Sequence, residues 1–205
     1  MITRPQPAIS AATLGDVDPI CKLIDANRFR EDGTGALLAV RPEQVRAIVR
    51  DRSLGSFFVA LGADGEVAGC VSVVVYGLPP DYNRVFEELG RRLAGPGVKR
   101  HFSAISIPAE TGASETKVAE LRSLAAHEGY RGSGLGLRLI QAAKDEARAR
   151  GFNVLYSLVN ERVAPLFQRG GFQVAERTPQ KLIVDCTKCP ILERCNEVPV
   201  VVEVG

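Results

Sequence analysis

Six consecutive residues, Arg131-Gly132-Ser133-Gly134-Leu135-Gly136, carry the sharpest chemistry in the sequence. Glycine has no side chain, so backbone N–H groups there can approach a ligand closely. From Leu137 onward the residues follow a helical apolar pattern. A helix start adds unpaired N–H donors and the positive end of its dipole. Together these groups suit a pyrophosphate, with Arg131 adding charge at the rim. A Gly-x-Gly-x-Gly run alone is equally a tight turn. Two other phosphate loops fit less well. The Gly-Lys-Ser/Thr ending of a P-loop is absent. A dinucleotide loop follows the first strand, whereas this one lies two-thirds along the chain. Glu161, after the next strand, is its one point of agreement.

Elements on either side position this loop. Lys117 to Ala126 reads as a strand, and its alternation puts Glu120, Arg122, Leu124 and Ala126 on one face. Leu137 to Arg150 reads as a helix with Leu139, Ile140, Ala143 and Ala147 as its apolar stripe. Glu146 and Arg150 stand four apart, a spacing that favours an ion pair, and Gly151 is a natural stop. Phe152 to Val159 is the next strand. Strand, helix and strand of this length make a crossover unit, so the two strands should be parallel. A short helix between Asn160 and Gly170, then closing strands at Phe172–Thr178 and Val198–Val204, complete this half.

Upstream, residues 7–12 read as a strand and Asp16–Asn27 as a helix, with Asp16 as its cap. Pro42–Asp51 is a second helix. Ser56–Gly62 and Glu66–Val75 flank the turn Ala63-Asp64-Gly65 and make a hairpin. Residues 77–116 read as an insertion, either a lid, a dimer surface or a surface elaboration.

Bulk properties narrow the field. The chain has 205 residues, 45% hydrophobic and 24% charged, and a net charge of +2. That balance is ordinary for a soluble globular protein and gives no global argument for nucleic acid or membrane partners, so neither is expected. No run reaches the roughly 18–20 apolar residues of a membrane span. No secretory pattern opens the chain, so a cytoplasmic location is expected. Five cysteines, an odd count, do not suggest a disulfide scaffold. Cys21 and Cys70 sit in apolar runs and read as buried free thiols. Cys186, Cys189 and Cys195 lie in the 179–197 segment. Three cysteines fall short of a four-ligand zinc site unless Asp185, Glu197 or a histidine completes it. A redox pair and local packing of free thiols are the other readings.

The stretch from Leu121 through Ala126-His127-Glu128-Gly129-Tyr130-Arg131 to Gly136 resembles the acetyl-CoA motif of the GNAT acetyltransferase superfamily. The downstream run Asn160 … Phe167 … Gly170-Gly171-Phe172 resembles its second motif. The order of elements agrees along nearly the whole chain. The resemblance implies a single α/β domain over residues 1–205, a mixed, partly parallel twisted sheet flanked by helices. It implies acetyl-CoA as co-substrate, held by Leu124, Ala125, Ala126, Arg131, Gly132, Ser133, Gly134, Leu135, Gly136, Leu137 and Asn160. The backbone of Leu124 and Ala126 would meet the pantetheine arm and acetyl carbonyl. A neutral amine would attack the thioester directly. Glu120 is then the candidate base and Arg122 a carboxylate clamp, unless they form a surface ion pair. Two positions depart from the family pattern. Glu128 stands where proline is usual, and Phe167 where a tyrosine often donates a proton.

The ending Asp185-Cys186-x-x-Cys189-Pro190 … Cys195-x-Glu197-Val198 resembles that of short bacterial N-acetylglutamate synthase-like proteins. Ala119 to Leu124 and Phe167 are similar to theirs as well. This implies a small-molecule amine acceptor, the α-amine of glutamate first, with Arg122 and Arg177 as cationic partners for its carboxylates. Another small amine or a protein N-terminus is the alternative acceptor. A catalytically silent acyl-CoA sensor is the alternative class. Exposed strands and the insertion are compatible with a homodimer.

Overall fold

The computed structural model describes residues 6–27, 42–74, 118–174 and 197–205. Among these residues seven strands form one mixed sheet. In chain order they are β1 (Ala8–Ala11), β2 (Gly55–Leu61), β3 (Val67–Val74), β4 (Val118–Ala126), β5 (Val154–Asn160), β6 (Gln173–Val174) and β7 (Glu197–Glu203). Their order across the sheet is β1-β2-β3-β4-β5-β7-β6. Four helices accompany them: α1 (Val17–Ala26), α2 (Pro42–Arg50), α3 (Leu135–Ala149) and α4 (Ala164–Arg169). The β4–β5 pair is parallel, as the crossover reading requires, with Val118 opposite Val154 and Glu120 opposite Tyr156. β1–β2, β2–β3, β5–β7 and β6–β7 are antiparallel.

The described residues fall into two compact units. The first holds β1 to β3, α1, α2 and Leu121–Glu146. The hairpin forms where expected: Gly62 donates to the Glu66 carbonyl at 2.8 Å, and Gly65 takes the left-handed conformation, φ +80°. One core of this unit joins Val17, Ile20, Cys21 and Leu23 of α1 to Val45 of α2. These pack on Phe57, Val59, Cys70 and Ala125. β-Strand alternation turns Gly69 to the other face, where it meets α3. A Cβ there would stand 2.9 Å from Leu139 and 3.0 Å from Leu135. The missing side chain therefore lets the first turns of α3 lie close on β3. Glu146 of the same helix reaches Arg52 at 2.9 Å and accepts from the Ser56 hydroxyl.

The second unit holds the start of β4, the end of α3 and everything after it. Val154, Leu155 and Val159 of β5 are buried with Val198, Val200 and Val201 of β7. Arg150 lays its guanidinium over the Phe152 ring, 5.7 Å from the centroid.

Several sequence expectations shift. Asp16 does not cap α1. Its carboxylate instead accepts from both the Thr13 amide and hydroxyl at 2.7 Å, closing a short 3-10 turn at Leu14–Asp16. The hydroxyl three residues upstream offers a closer partner than the helix amides. α3 begins at Leu135, two residues early, because the fully buried Leu135 anchors its first turn against β3. The hairpin strands and β4 agree within about one residue, the usual scatter of element ends. Cys21 and Cys70 are free and buried, as read. The 77–116 segment, Arg177, Cys186, Cys189 and Cys195 lie outside the described residues.

Gly55 offers a stability test. Its φ is +152°, and an added Cβ would overlap the Val73 carbonyl oxygen. A backbone atom cannot swing aside as a side chain can. Gly55→Ala is therefore expected to destabilise the chain by about 2–4 kcal/mol, read as the shift in a urea unfolding midpoint.

Candidate functional site

The glycine loop grows directly out of β4. Ser123, inside that strand, has φ +54°, a left-handed conformation that a residue with a Cβ rarely adopts. The alternation expected to put Glu120, Arg122, Leu124 and Ala126 on one face is therefore interrupted at Ser123. A residue outside the β region resets which way the following side chains point.

Past β4 a chain of short turns sets up the loop. The His127 amide donates to the Ala68 carbonyl at 2.8 Å, and its Nδ1 accepts from the Gly129 amide at 3.2 Å. His127 is thus a loop histidine that organises the turn. Tyr130 closes onto His127 and Arg131 onto Glu128. The Ser133 hydroxyl and amide both donate to the Tyr130 carbonyl, at 2.6 and 3.3 Å. Gly132 and Gly134 sit at φ +78° and +86°. A Cβ at either would touch nothing, so conformation rather than space demands glycine there.

α3 starts at Leu135, and its first bond runs from the Arg138 amide to the Gly134 carbonyl at 3.2 Å. The amides of Gly134, Leu135, Gly136 and Leu137 therefore precede the helical ladder. Among the described residues these four amides, and that of Gly132, form no hydrogen bond with the protein. The sequence assigned all six amides from Gly132 to Leu137 to a ligand. Five are unpartnered, and Ser133 has spent its own on the turn. Gly132, Ser133 and Gly134 are exposed, so an anion can reach them. Arg131 is exposed too, and a long contact of 3.4 Å joins it to Asn27. Leu124 and Ala126 are half-buried and Ala125 is buried.

Upstream on β4, Arg122 is half-buried, and Glu120 is buried, 6% exposed. A carboxylate this enclosed is not the solvated surface ion pair that the sequence left open. In the second unit Asn160 ends β5. Its Oδ1 accepts from the Arg162 amide at 3.0 Å, and its carbonyl from the Val163 amide at 2.8 Å. Asn160 thus shapes the entry to α4. Phe167 is buried, its ring edge-on to Phe172 with centroids 5.1 Å apart. It is a packing residue without a proton to give. No group of three or more His, Cys, Asp or Glu stands together as a metal site among the described residues. No described helix is long and apolar enough to cross a membrane.

Sequence reasoning missed Gly69 and Ser72 of β3, and read Cys70 only as a buried free thiol. Cys70 donates to the Ser123 carbonyl at 3.3 Å and Ser72 to the Arg122 carbonyl at 3.1 Å. A serine inside an otherwise apolar strand was the signal that could have found Ser72.

Comparison with known proteins agrees with this geometry. A family model described as the acetyltransferase (GNAT) family matches residues 25–172. An uncharacterized N-acetyltransferase of Chlorobaculum tepidum is 36% identical over 87 residues, 42% of this chain and 55% of that relative. The match therefore spans about half the length of that curated relative. Among solved structures, the N-acetylglutamate synthase of Neisseria gonorrhoeae, complexed with coenzyme A and N-acetyl-glutamate, has a similar fold. The TM-score is 0.60 at 20% identity, covering 97% of this chain and 35% of that one. The yncA protein of Salmonella typhimurium, a putative acetyltransferase solved with acetyl-CoA, gives 0.59 at 16% identity. That likeness covers 98% of this chain and 95% of the other.

Proposed function

The chain belongs to the GNAT acetyltransferase family, and from that premise we propose that it moves acetyl from acetyl-CoA to the α-amine of a small amino acid, glutamate first. The observation that carries the coenzyme half is the set of unpartnered amides at Gly132 and Gly134 to Leu137. Four of these donors open a 15-residue helix, where its positive end suits a doubly charged diphosphate, and Gly132 adds a fifth. The kinked end of β4 would receive the pantetheine arm and the acetyl carbonyl at Leu124 to Ala126. Asn160 would contact the arm from the end of β5.

Transfer requires the amine nitrogen to form a bond to the thioester carbon while the carbon–sulfur bond breaks. The amine must first lose its ammonium proton. Glu120, buried on β4, is the proposed acceptor of that proton, directly or through a water. Arg122, two residues on, and Arg177 would hold the carboxylates of the acceptor. Phe167 cannot protonate the leaving thiolate, so water or another residue would supply that proton.

Glutamate is favoured because the ending of the chain resembles synthase-like proteins, and a synthase of that name shares the fold. Release of free thiol from acetyl-CoA tests the reading. Glutamate is expected to stimulate it above other amino acids, polyamines and peptide N-termini. Stimulation by a polyamine or a peptide instead would move the acceptor to another amine. Coenzyme binding by calorimetry with no turnover on any of these amines would favour a silent acyl-CoA sensor, the reading that Phe167 motivates.

A further inference from the structure

β3 presents two fully buried polar side chains to β4, two residues apart and so on one face of the strand. Cys70 and Ser72 are both 0% exposed. Their neighbours are Val71, Val73 and Val74, so a hydroxyl at position 72 is out of character. A buried hydroxyl destabilises unless it is bonded. This one is: it donates to the Arg122 carbonyl at 3.1 Å. The Cys70 thiol donates to the Ser123 carbonyl at 3.3 Å. Ser72 thus holds the carbonyl before the Ser123 Cα and Cys70 the one after it. Burial pushes that thiol up to about 12, so its proton stays in place at neutral pH. The residue between these clasped groups, Ser123, is the non-glycine residue held at positive φ. Such a conformation costs about 1–2 kcal/mol and persists only where the surroundings impose it.

We infer that Cys70 and Ser72 are positioning residues that hold the Ser123 kink, and through it the β4 backbone that receives the thioester end of acetyl-CoA. The inference rests on the coenzyme reading above. Cys70 and Ser72 themselves touch no reacting atom. They act on the backbone groups of Leu124 to Ala126, while the diphosphate loop has its own support in Tyr130, Ser133 and the start of α3.

That separation supplies the test. Acetyl-CoA and 3′-phospho-ADP, its diphosphate half, are titrated by calorimetry into the wild-type chain and into Cys70→Ala, Ser72→Ala and the double variant. Thermal unfolding is followed in parallel. Two lost hydrogen bonds are expected to weaken acetyl-CoA about tenfold in the double variant, and 3′-phospho-ADP by less than about twofold. Cys70→Ser keeps a donor at the same place and is expected to bind acetyl-CoA like the wild type. Equal losses for both ligands, or no loss for either, would overturn the positioning role. A Cys70→Ser variant as weak as Cys70→Ala would also overturn it. A wild-type chain that binds neither ligand would instead strike down the coenzyme reading, and this inference with it.

Discussion

Gly134→Val is expected to abolish measurable acetyl-CoA binding while leaving the chain folded. A Cβ at Gly134 meets nothing within 4 Å, so no clash opposes the substitution. The obstacle is the backbone at φ +86°, which an L-residue adopts at about 1–2 kcal/mol and a β-branched one less readily still. The loop is exposed, so it can relieve this strain locally by turning the peptide back to negative φ. That rotation reorients the peptide groups on either side of Gly134, and with them the amides of Gly134 and Leu135. Each amide bond to a charged phosphate contributes about 1.5–3 kcal/mol, so losing two should weaken binding about 100-fold or more. Calorimetry with acetyl-CoA measures it, alongside an unfolding curve that should barely move. Unchanged affinity would remove the loop from the site.

The second large effect is expected at Glu120. Glu120→Gln keeps the shape of the side chain and removes its capacity to take a proton. If it is the base, kcat with the true acceptor should fall about 10²–10⁴-fold, with little change in acetyl-CoA affinity. The deficit should shrink as pH rises, because more of the acceptor amine then arrives without its extra proton. If Glu120 only completes a buried polar network, the variant should lose stability and keep its kcat. Steady-state rates across a pH series, with a melting curve beside them, separate these outcomes.

Family, loop and helix are legible in the sequence because each rests on local physics. A glycine run between a strand and an amphipathic helix has few uses, and an apolar stripe with period 3.6 leaves little choice of element. The hairpin, the parallel β4–β5 pair and the buried Cys21 and Cys70 followed from the same kind of argument. Asp16 illustrates where such arguments stop. Two local partners competed for its carboxylate, and residue type alone could not rank them.

What the tertiary structure decided lies in contacts between segments far apart in the chain. Strand periodicity assumes every residue is extended, so it carried Glu120, Arg122, Leu124 and Ala126 onto one face. Ser123 breaks that assumption because β3 holds it, some fifty residues away in sequence. Gly69 likewise looks like any strand glycine until Leu135 and Leu139 are seen lying against it. The chemical capacity of the loop is written in its residue types. Which amides remain free to use that capacity depends on hydrogen bonds that Tyr130, Ser133 and the helix ladder claim first, and only folding assigns those.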